Sequence, residues 1–217
     1  MINFDMTIAN NFLIKVNVFF LSLIGNELKI LSIKRVNSSF WELPSKYLQK
    51  NEELTFVCER AANQIIYDSN IVNYQFRPIE TNINGEEVEI DFLALNPIGK
   101  KSFRYNNELK DIDWFNRFQL NEKSILTKEK FLGVENFINK FVSFKYENIL
   151  YFMKAEFTLT ELQQAFINLG IKDKQFNEKR NFRKWLETYN KDKSFIKETN
   201  KRRYGNHRPA KIFTSII

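Results

Sequence analysis

Two clusters of cationic side chains near the end of this 217-residue chain could bind the phosphates and base edges of a nucleic acid. The first lies on the exposed side of an amphipathic helix predicted over about 178–189, and the second at the tip of the following hairpin. The helix residues suit base-edge or phosphate contacts, and the hairpin residues suit phosphates or the minor groove. The expected DNA-contacting residues are Lys179, Arg180, Asn181, Arg183, Lys184, Lys201, Arg202, Arg203 and Arg208. A charge run is often only a solvated helix face, but two basic clusters in one short segment favour nucleic-acid binding.

The charge of the chain is divided unevenly along its length. Up to Leu150 there are 18 Lys and Arg against 19 Asp and Glu, whereas from Tyr151 onwards there are 15 against 7. The whole formal excess of +7 therefore belongs to the last part of the chain. This division predicts a neutral domain over 1–148 joined to a nucleic-acid-binding domain over 149–217.

The C-terminal part has the pattern of a winged helix-turn-helix. Thr158 and Glu161 have capping-box spacing before a helix with one apolar side that ends at Gly170. The basic helix over 178–189 follows, and then a strand over 195–199, a basic tip over 201–209 and a returning strand over 211–215. Helix, helix and basic hairpin in this order predict a winged DNA reader.

The N-terminal part reads as mixed α/β. Gly25-Asn26 separates predicted strands over 16–24 and 28–33, and Asn84-Gly85 precedes an alternating strand over 88–95. A late strand is expected at 113–115, and helices are expected over 53–68 and 128–144.

Three C-terminal motifs carry a resemblance to a known family. The segments 156–163, 179–184 and 208–213 resemble, in order and spacing, signatures of the Nudix-related transcriptional regulators. The resemblance implies an α+β protein: an N-terminal Nudix-like α/β/α sandwich with a mixed sheet, followed by a C-terminal winged helix-turn-helix. It also implies a double-stranded DNA operator as partner, a homodimer, and repression more often than activation.

The segment 40–66 resembles a Nudix box from which the catalytic groups are missing. Trp41, Leu43, Pro44, Glu52 and Arg60 match the box. The positions that hold metal-binding carboxylates in the family are filled by Ala61, Gln64 and Ile65, which share one helix face and supply no carboxylate. The resemblance therefore implies a sensor without a metal, a cofactor or catalytic residues, in which Glu52 and Arg60 either pair structurally or contact the effector. Ser45 and Lys46 replace the paired glycines of the box, which argues against a family-like phosphate cradle.

The effector implied by the resemblance is a sugar, a sugar phosphate or a nucleotide sugar. An aromatic ring beside a positive charge suits such ligands, so the expected effector-binding residues are Arg35, Phe40, Trp41, Arg77 and Asp91. The alternatives are that Arg35 is an exposed charge at a strand end and that Trp41 belongs to the core.

Composition excludes several other classes of protein. A single cysteine, Cys58, and a single histidine, His207, exclude an intrachain disulfide and an ordinary His/Cys zinc site. The longest apolar run, 16–24, is too short to span a bilayer, so no membrane association and a cytoplasmic location are expected. Two other functions stay open: a Nudix-type pyrophosphohydrolase with displaced metal ligands, and a non-specific nucleic-acid-binding module.

Overall fold

The computed structural model of the protein describes residues 12–25, 27–65, 75–95, 107–119, 124, 126–204 and 209–216. The strands are β1 (Leu13–Phe19), β2 (Leu21–Ile24), β3 (Glu27–Arg35), β4 (Trp41–Glu42), β5 (Ser45–Tyr47), β6 (Gln75–Asn84), β7 (Glu87–Leu95), β8 (Leu109–Phe115), β9 (Glu156–Phe157), β10 (Ile196–Arg203) and β11 (Ala210–Ser215). The α-helices are α1 (Leu54–Ala62), α2 (Lys128–Phe144), α3 (Leu159–Asn168) and α4 (Lys179–Lys193). Short 3-10 helices cover Tyr146–Phe152 and Lys174–Phe176.

A mixed sheet in the order β5-β1-β7-β6 is sandwiched between α1 and α2. β1 and β7 run parallel, and the other neighbours are antiparallel. Because side chains alternate between the faces of a strand, Val16 and Val18 pack with buried residues of α1, whereas Phe19 packs with those of α2. The predicted mixed α/β/α arrangement is confirmed.

A second sheet joins β2, β3, β4 and β8, with β3 at its centre. The single strand predicted over 16–24 is wrong, because the chain leaves one sheet at Phe19 and enters the other at Leu21. Between them, the carbonyl of Phe20 accepts a hydrogen bond from the amide of Leu31 at 3.0 Å. A continuous apolar run is buried in either sheet, so hydropathy alone does not locate the change of partner.

Of the two helices predicted in the N-terminal part, one has the predicted range and the other is shorter than predicted. α2 has the predicted bounds, and Thr127 caps it by accepting a hydrogen bond from the amide of Lys130 at 3.1 Å. The helix predicted over 53–68 ends at Ala62, a turn covers 63–65, and positions 66–68 lie outside the described residues. Asparagine at 63, a weak helix former, occupies the C-cap.

The C-terminal part is a winged helix, as predicted. Thr158 and Glu161 form the capping box of α3, and Gly170, at φ +68°, follows the C-cap of that helix. α4 then leads into the sheet β10-β11-β9. The placement of Lys201, Arg202 and Arg203 at the tip is wrong, since β10 continues to Arg203 and pairs with β11 up to Ala210.

The two parts share one continuous apolar core. The 3-10 helix Tyr146–Phe152 contributes Ile149, Leu150 and Phe152 to a cluster that contains residues of the mixed sheet, of α2 and of the winged helix. The predicted boundary between 148 and 149 falls within this 3-10 helix and stays a prediction. No helix in the described ranges is long and apolar enough to cross a membrane.

Candidate functional sites

The N-terminal half of α4 presents a surface of exposed cations. Phe182 and Leu186 face the core, so the opposite side of the helix is left to charged residues. Within the part of the chain that the structure describes, no ion pair involves the four exposed cations of this half-helix, which are Lys179, Arg180, Arg183 and Lys184. Asn181 is also exposed, and its amide donates to Oε2 of Glu178 at 3.0 Å. The side chains on this half of α4 are thus open to an anionic partner.

The cations of the hairpin, by contrast, are paired with carboxylates of the same domain. Nη1 of Arg203 lies 2.6 Å from Oε1 of Glu161, and Nη2 of Arg202 lies 3.2 Å from Oε1 of Glu198. Lys201 forms an ion pair with Glu156. Arg208 lies outside the described residues. DNA contact by Lys201, Arg202 and Arg203 would require each of these three cations to exchange a carboxylate for a phosphate.

The three glutamates that hold the hairpin cations were not predicted from the sequence. A hydrogen bond from Lys211 lowers the pKa of Glu198. Burial would raise the pKa of Glu161, but bonds from the Thr158 amide and from Arg203 outweigh it and lower that pKa. Both carboxylates are therefore ionised at neutral pH. The pairing of Glu198 could have been predicted only from the register of the hairpin strands, because that register is what makes Glu198 and Lys211 neighbours.

An aromatic cluster and the 3-10 helix Tyr146–Phe152 hold α4 in place. The ring of Tyr146 makes edge contacts with Phe166, Phe176, Trp185 and Tyr189 at centroid distances of 5.4–5.7 Å. The hydroxyl of Tyr189 donates to Oε2 of the buried Glu147 at 2.5 Å. The linking segment thus fixes the position of the helix with the exposed cations.

Glu52 and Arg60 form the structural pair that the sequence suggested as one alternative. The guanidinium of Arg60 donates to both carboxylate oxygens of Glu52, at 2.6 and 2.7 Å, and to the carbonyl of Tyr47 at 2.8 Å. The hydrogen bond from Arg60 lowers the pKa of Glu52. The pair ties the loop before α1 to the helix, and both carboxylate oxygens of Glu52 accept hydrogen bonds from within the protein.

The three positions that would hold metal-binding carboxylates in a Nudix box are buried here, but the single helix face predicted for them is wrong, because Ala61 lies in α1 and Gln64 and Ile65 lie in the turn that follows. Ala61 and Ile65 have no exposed surface, and Gln64 is 3% exposed. Nε2 of Gln64 donates to the carbonyl of Ser45 at 3.0 Å, so this side-chain amide joins the turn after α1 to strand β5. Among the residues that the structure describes, no group of three or more His, Cys, Asp or Glu side chains could hold a metal ion. Cys58 is buried on the same helix, and burial raises its pKa to about 12.

Three of the predicted effector residues lie close together in the second sheet or its turn. Arg35 is paired with Glu42, on the neighbouring strand β4. Trp41 is partly buried, with its ring 5.0 Å from that of Phe115, and Phe40 is 46% exposed. Arg35 is thus a partly buried, paired charge at the end of β3, and Trp41 is a partly buried ring packed against Phe115. Their assignment to the effector site stays a prediction.

The other two predicted effector residues, Arg77 and Asp91, lie in the mixed sheet, on β6 and β7, and not in the second sheet with the first three. Arg77 is exposed on the edge strand β6. Asp91 is 1% exposed and bonds to Asn17 at 2.8 Å and to Lys130 at 3.0 Å. Burial raises the pKa of Asp91, although its bonds to Asn17 and Lys130 oppose that shift. Asp91 therefore belongs to an internal polar network, and its burial keeps its carboxylate out of reach of a ligand.

The comparisons with known proteins agree with this architecture. Residues 149–214 match the family model described as the NrtR DNA-binding winged helix domain. The fold is similar to that of a MutT/nudix family protein from Enterococcus faecalis, with 16% identity, a TM-score of 0.65 and coverage of 94% of this chain and 86% of that one. It is also similar to Shewanella oneidensis NrtR in complex with a 27mer DNA, with 18% identity, a TM-score of 0.64 and 93% coverage of both chains. A further crystal structure of S. oneidensis NrtR gives 19% identity, a TM-score of 0.62 and 93% coverage of both chains. The comparison with curated proteins gave no match.

These findings confirm the predicted resemblance and fold. The C-terminal part is a winged-helix DNA-binding domain of the NrtR type, and the whole chain has the fold of a Nudix domain followed by that winged helix. The predicted DNA-contacting and effector-binding residues stay predictions.

Proposed function

We propose that this protein is a sequence-specific DNA-binding transcriptional regulator whose Nudix-like domain senses a small molecule and does not hydrolyse it. The protein acts in the cytoplasm as a homodimer on a double-stranded operator. Repression is the proposed sign of its action. Its DNA-contacting residues are those predicted from the sequence, with α4 reading bases and the hairpin contacting phosphates.

The exposed cationic face of α4 is the observation that carries this proposal. In helix-turn-helix proteins the second helix enters the major groove and its N-terminal residues contact base edges. Lys179, Arg180, Arg183 and Lys184 occupy this half of α4, within a domain that matches the NrtR DNA-binding model. The S. oneidensis NrtR of similar fold is described in complex with a 27mer DNA, which supports a duplex as partner here.

Selection from a pool of random duplexes of about 30 base pairs, roughly three helical turns, tests the proposal. We expect an enriched inverted repeat with half-sites about one helical turn, or a multiple of it, apart. The protein should bind this repeat at least about a thousandfold more tightly than random duplex at the same salt concentration. Sedimentation of the complex should give two protein chains per duplex. A pool that yields no enriched sequence would leave only a non-specific nucleic-acid-binding module, and a single bound chain would contradict the homodimer.

The second candidate function is a Nudix-type pyrophosphohydrolase with displaced metal ligands, which the related Nudix fold keeps open. We expect no hydrolysis of ADP-ribose or other nucleoside-diphosphate compounds with Mg²⁺ or Mn²⁺. The reason is that Ala61, Gln64 and Ile65 are buried and offer no carboxylate to a hard cation. Chromatography that detects released nucleoside monophosphate measures the hydrolysis rate. Turnover of about 1 per second or faster would contradict the non-catalytic reading.

A further inference from the structure

A cleft of about 380 Å³ lies where the Nudix-like domain meets the winged helix. Its walls come from the start of β3, the turn after β8, the exposed side of α2 and the end of α3. A volume of this size is within the range of small-molecule sites, which run from about 300 to 1,000 Å³. This junction cleft is defined here by six of its lining residues: Glu27, Arg117, Phe118, Glu135, Asn136 and Asn139.

One wall of the junction cleft offers an exposed aromatic ring. Phe118 is 76% exposed, and Leu132, also in the lining, is 49% exposed. The guanidinium of Arg117 lies 4.8 Å from the centroid of the Phe118 ring, so a cation already occupies one face of that ring. The remaining surface of the ring suits the C–H face of a sugar ring better than a second positive charge.

The charged groups of the cleft select against anions. Among the residues that the structure describes, two carboxylates, Glu27 and Glu135, line it beside one cation, Arg117, and Arg117 lies 3.3 Å from Glu135. The surplus negative charge repels a phosphate, while the carboxylates accept hydrogen bonds from hydroxyl groups. The exposed amide of Asn136 can both donate and accept. These groups suit an uncharged polyhydroxylated ligand.

The junction cleft also contains a direct connection between the two domains. Nδ2 of Asn139, on α2, donates to the carbonyls of Leu169 and Gly170 at 2.9 and 3.0 Å. These carbonyls lie at the C-terminal end of α3, in the segment that leads into α4. All three residues line the cleft. A ligand bound here would therefore touch the joint that orients the DNA-binding helices.

We infer that the junction cleft is the effector site and that its ligand is an uncharged monosaccharide. The inference rests on the proposed regulatory function and moves the effector away from the residues predicted from the sequence. The ring of the sugar packs on Phe118, and its hydroxyls bond to Glu27, Glu135 and Asn136. Binding alters operator affinity because the ligand favours one arrangement of the Asn139 joint over another.

Thermal shift and calorimetry on the full chain test this inference. The probes are D-ribose, L-arabinose, D-xylose, D-glucose and D-galactose, each compared with ribose 5-phosphate, glucose 6-phosphate and ADP-ribose. At least one uncharged sugar should raise the melting temperature, and the charged compounds should not. Phe118→Ala should weaken that sugar by about tenfold or more. Phe144→Ala is the matched control, because Phe144 is a 91% exposed phenylalanine at the end of α2 that does not line the cleft.

Several results would overturn the inference while leaving the proposed function intact. The first is a panel in which no uncharged sugar binds, and the second is stronger binding by a phosphorylated compound. A third is a bound sugar that is unaffected by Phe118→Ala but lost in Trp41→Ala, which would return the site to the second sheet. A sugar that binds the cleft without changing operator affinity would contradict the proposed coupling between the cleft and DNA binding. Failure of the proposed function would be seen separately, as the absence of an enriched operator.

Discussion

Replacing Arg180 or Arg183 with alanine is expected to weaken operator binding by about 1–3 kcal/mol beyond any loss on random duplex. Both side chains project from the exposed half of α4 and have no carboxylate partner among the described residues, so they are available for base edges. Arg203→Ala should instead weaken both DNAs by similar factors and reduce the salt slope by roughly one unit, as a phosphate contact would. Fluorescence anisotropy over a range of salt concentrations, with operator and random duplex in parallel, measures all three variants.

Lys191→Ala provides the matched control for these variants. Lys191 is exposed and lies in the last turn of the same helix, eight residues beyond Arg183, which corresponds to about 12 Å along the helix axis. Its removal deletes the same charge from the same element but at the other end. Equal losses on operator and random duplex for Arg180→Ala and Arg183→Ala would show that α4 attracts DNA without reading it.

Tyr146→Ala is expected to lower the free energy of unfolding by about 3 kcal/mol or more. The ring contacts four aromatic side chains that join the linking segment to α3 and α4, and alanine would leave a cavity among them. Because α4 loses support on its inner side, operator affinity should fall at temperatures where the protein is still folded. Urea unfolding followed by tryptophan fluorescence gives the stability change, since Trp185 packs against the ring of Tyr146 at 5.4 Å.

Tyr146→Phe separates the ring from the hydroxyl. Among the described residues the hydroxyl has one partner, Oδ2 of Asp173, at 3.4 Å, so its loss should cost about 1 kcal/mol or less. If Tyr146→Ala were as stable as Tyr146→Phe, the ring would contribute little and the aromatic cluster would not be what positions α4.

Local patterns in the sequence were sufficient for most elements of the fold. The capping box of Thr158 and Glu161, the apolar side of α4 and the turn at Gly85 each depend on residues close in sequence, and each is present. The break at Phe20 was missed because it depends on which of two sheets supplies the neighbouring strand. The predicted range of helix α1 was too long for a similar reason. Gln64 lies in the turn beyond the helix, where it bonds to Ser45, a residue distant in sequence.

The candidate sites were less predictable because their properties depend on pairs of residues distant in sequence. The exposed cations of α4 followed from helical periodicity alone. The pairing of Arg203 with Glu161 joins residues 42 positions apart, and that of Asp91 with Lys130 joins β7 to α2. Composition could identify these side chains as charged, but it could not show that their charges are used within the protein. The junction cleft is formed where four separate elements meet, so no single sequence motif predicts it.

The continuous core through the 3-10 helix Tyr146–Phe152 has an evolutionary consequence. In a protein whose parts are linked by a flexible tether, a recombination event can exchange one part without disturbing the other. Here Ile149, Leu150 and Phe152 are buried in a cluster that both parts share, so a foreign partner would have to match that surface. We therefore expect the winged helix and the Nudix-like domain of this protein to have been inherited together, with substitutions on one side of the joint compensated on the other.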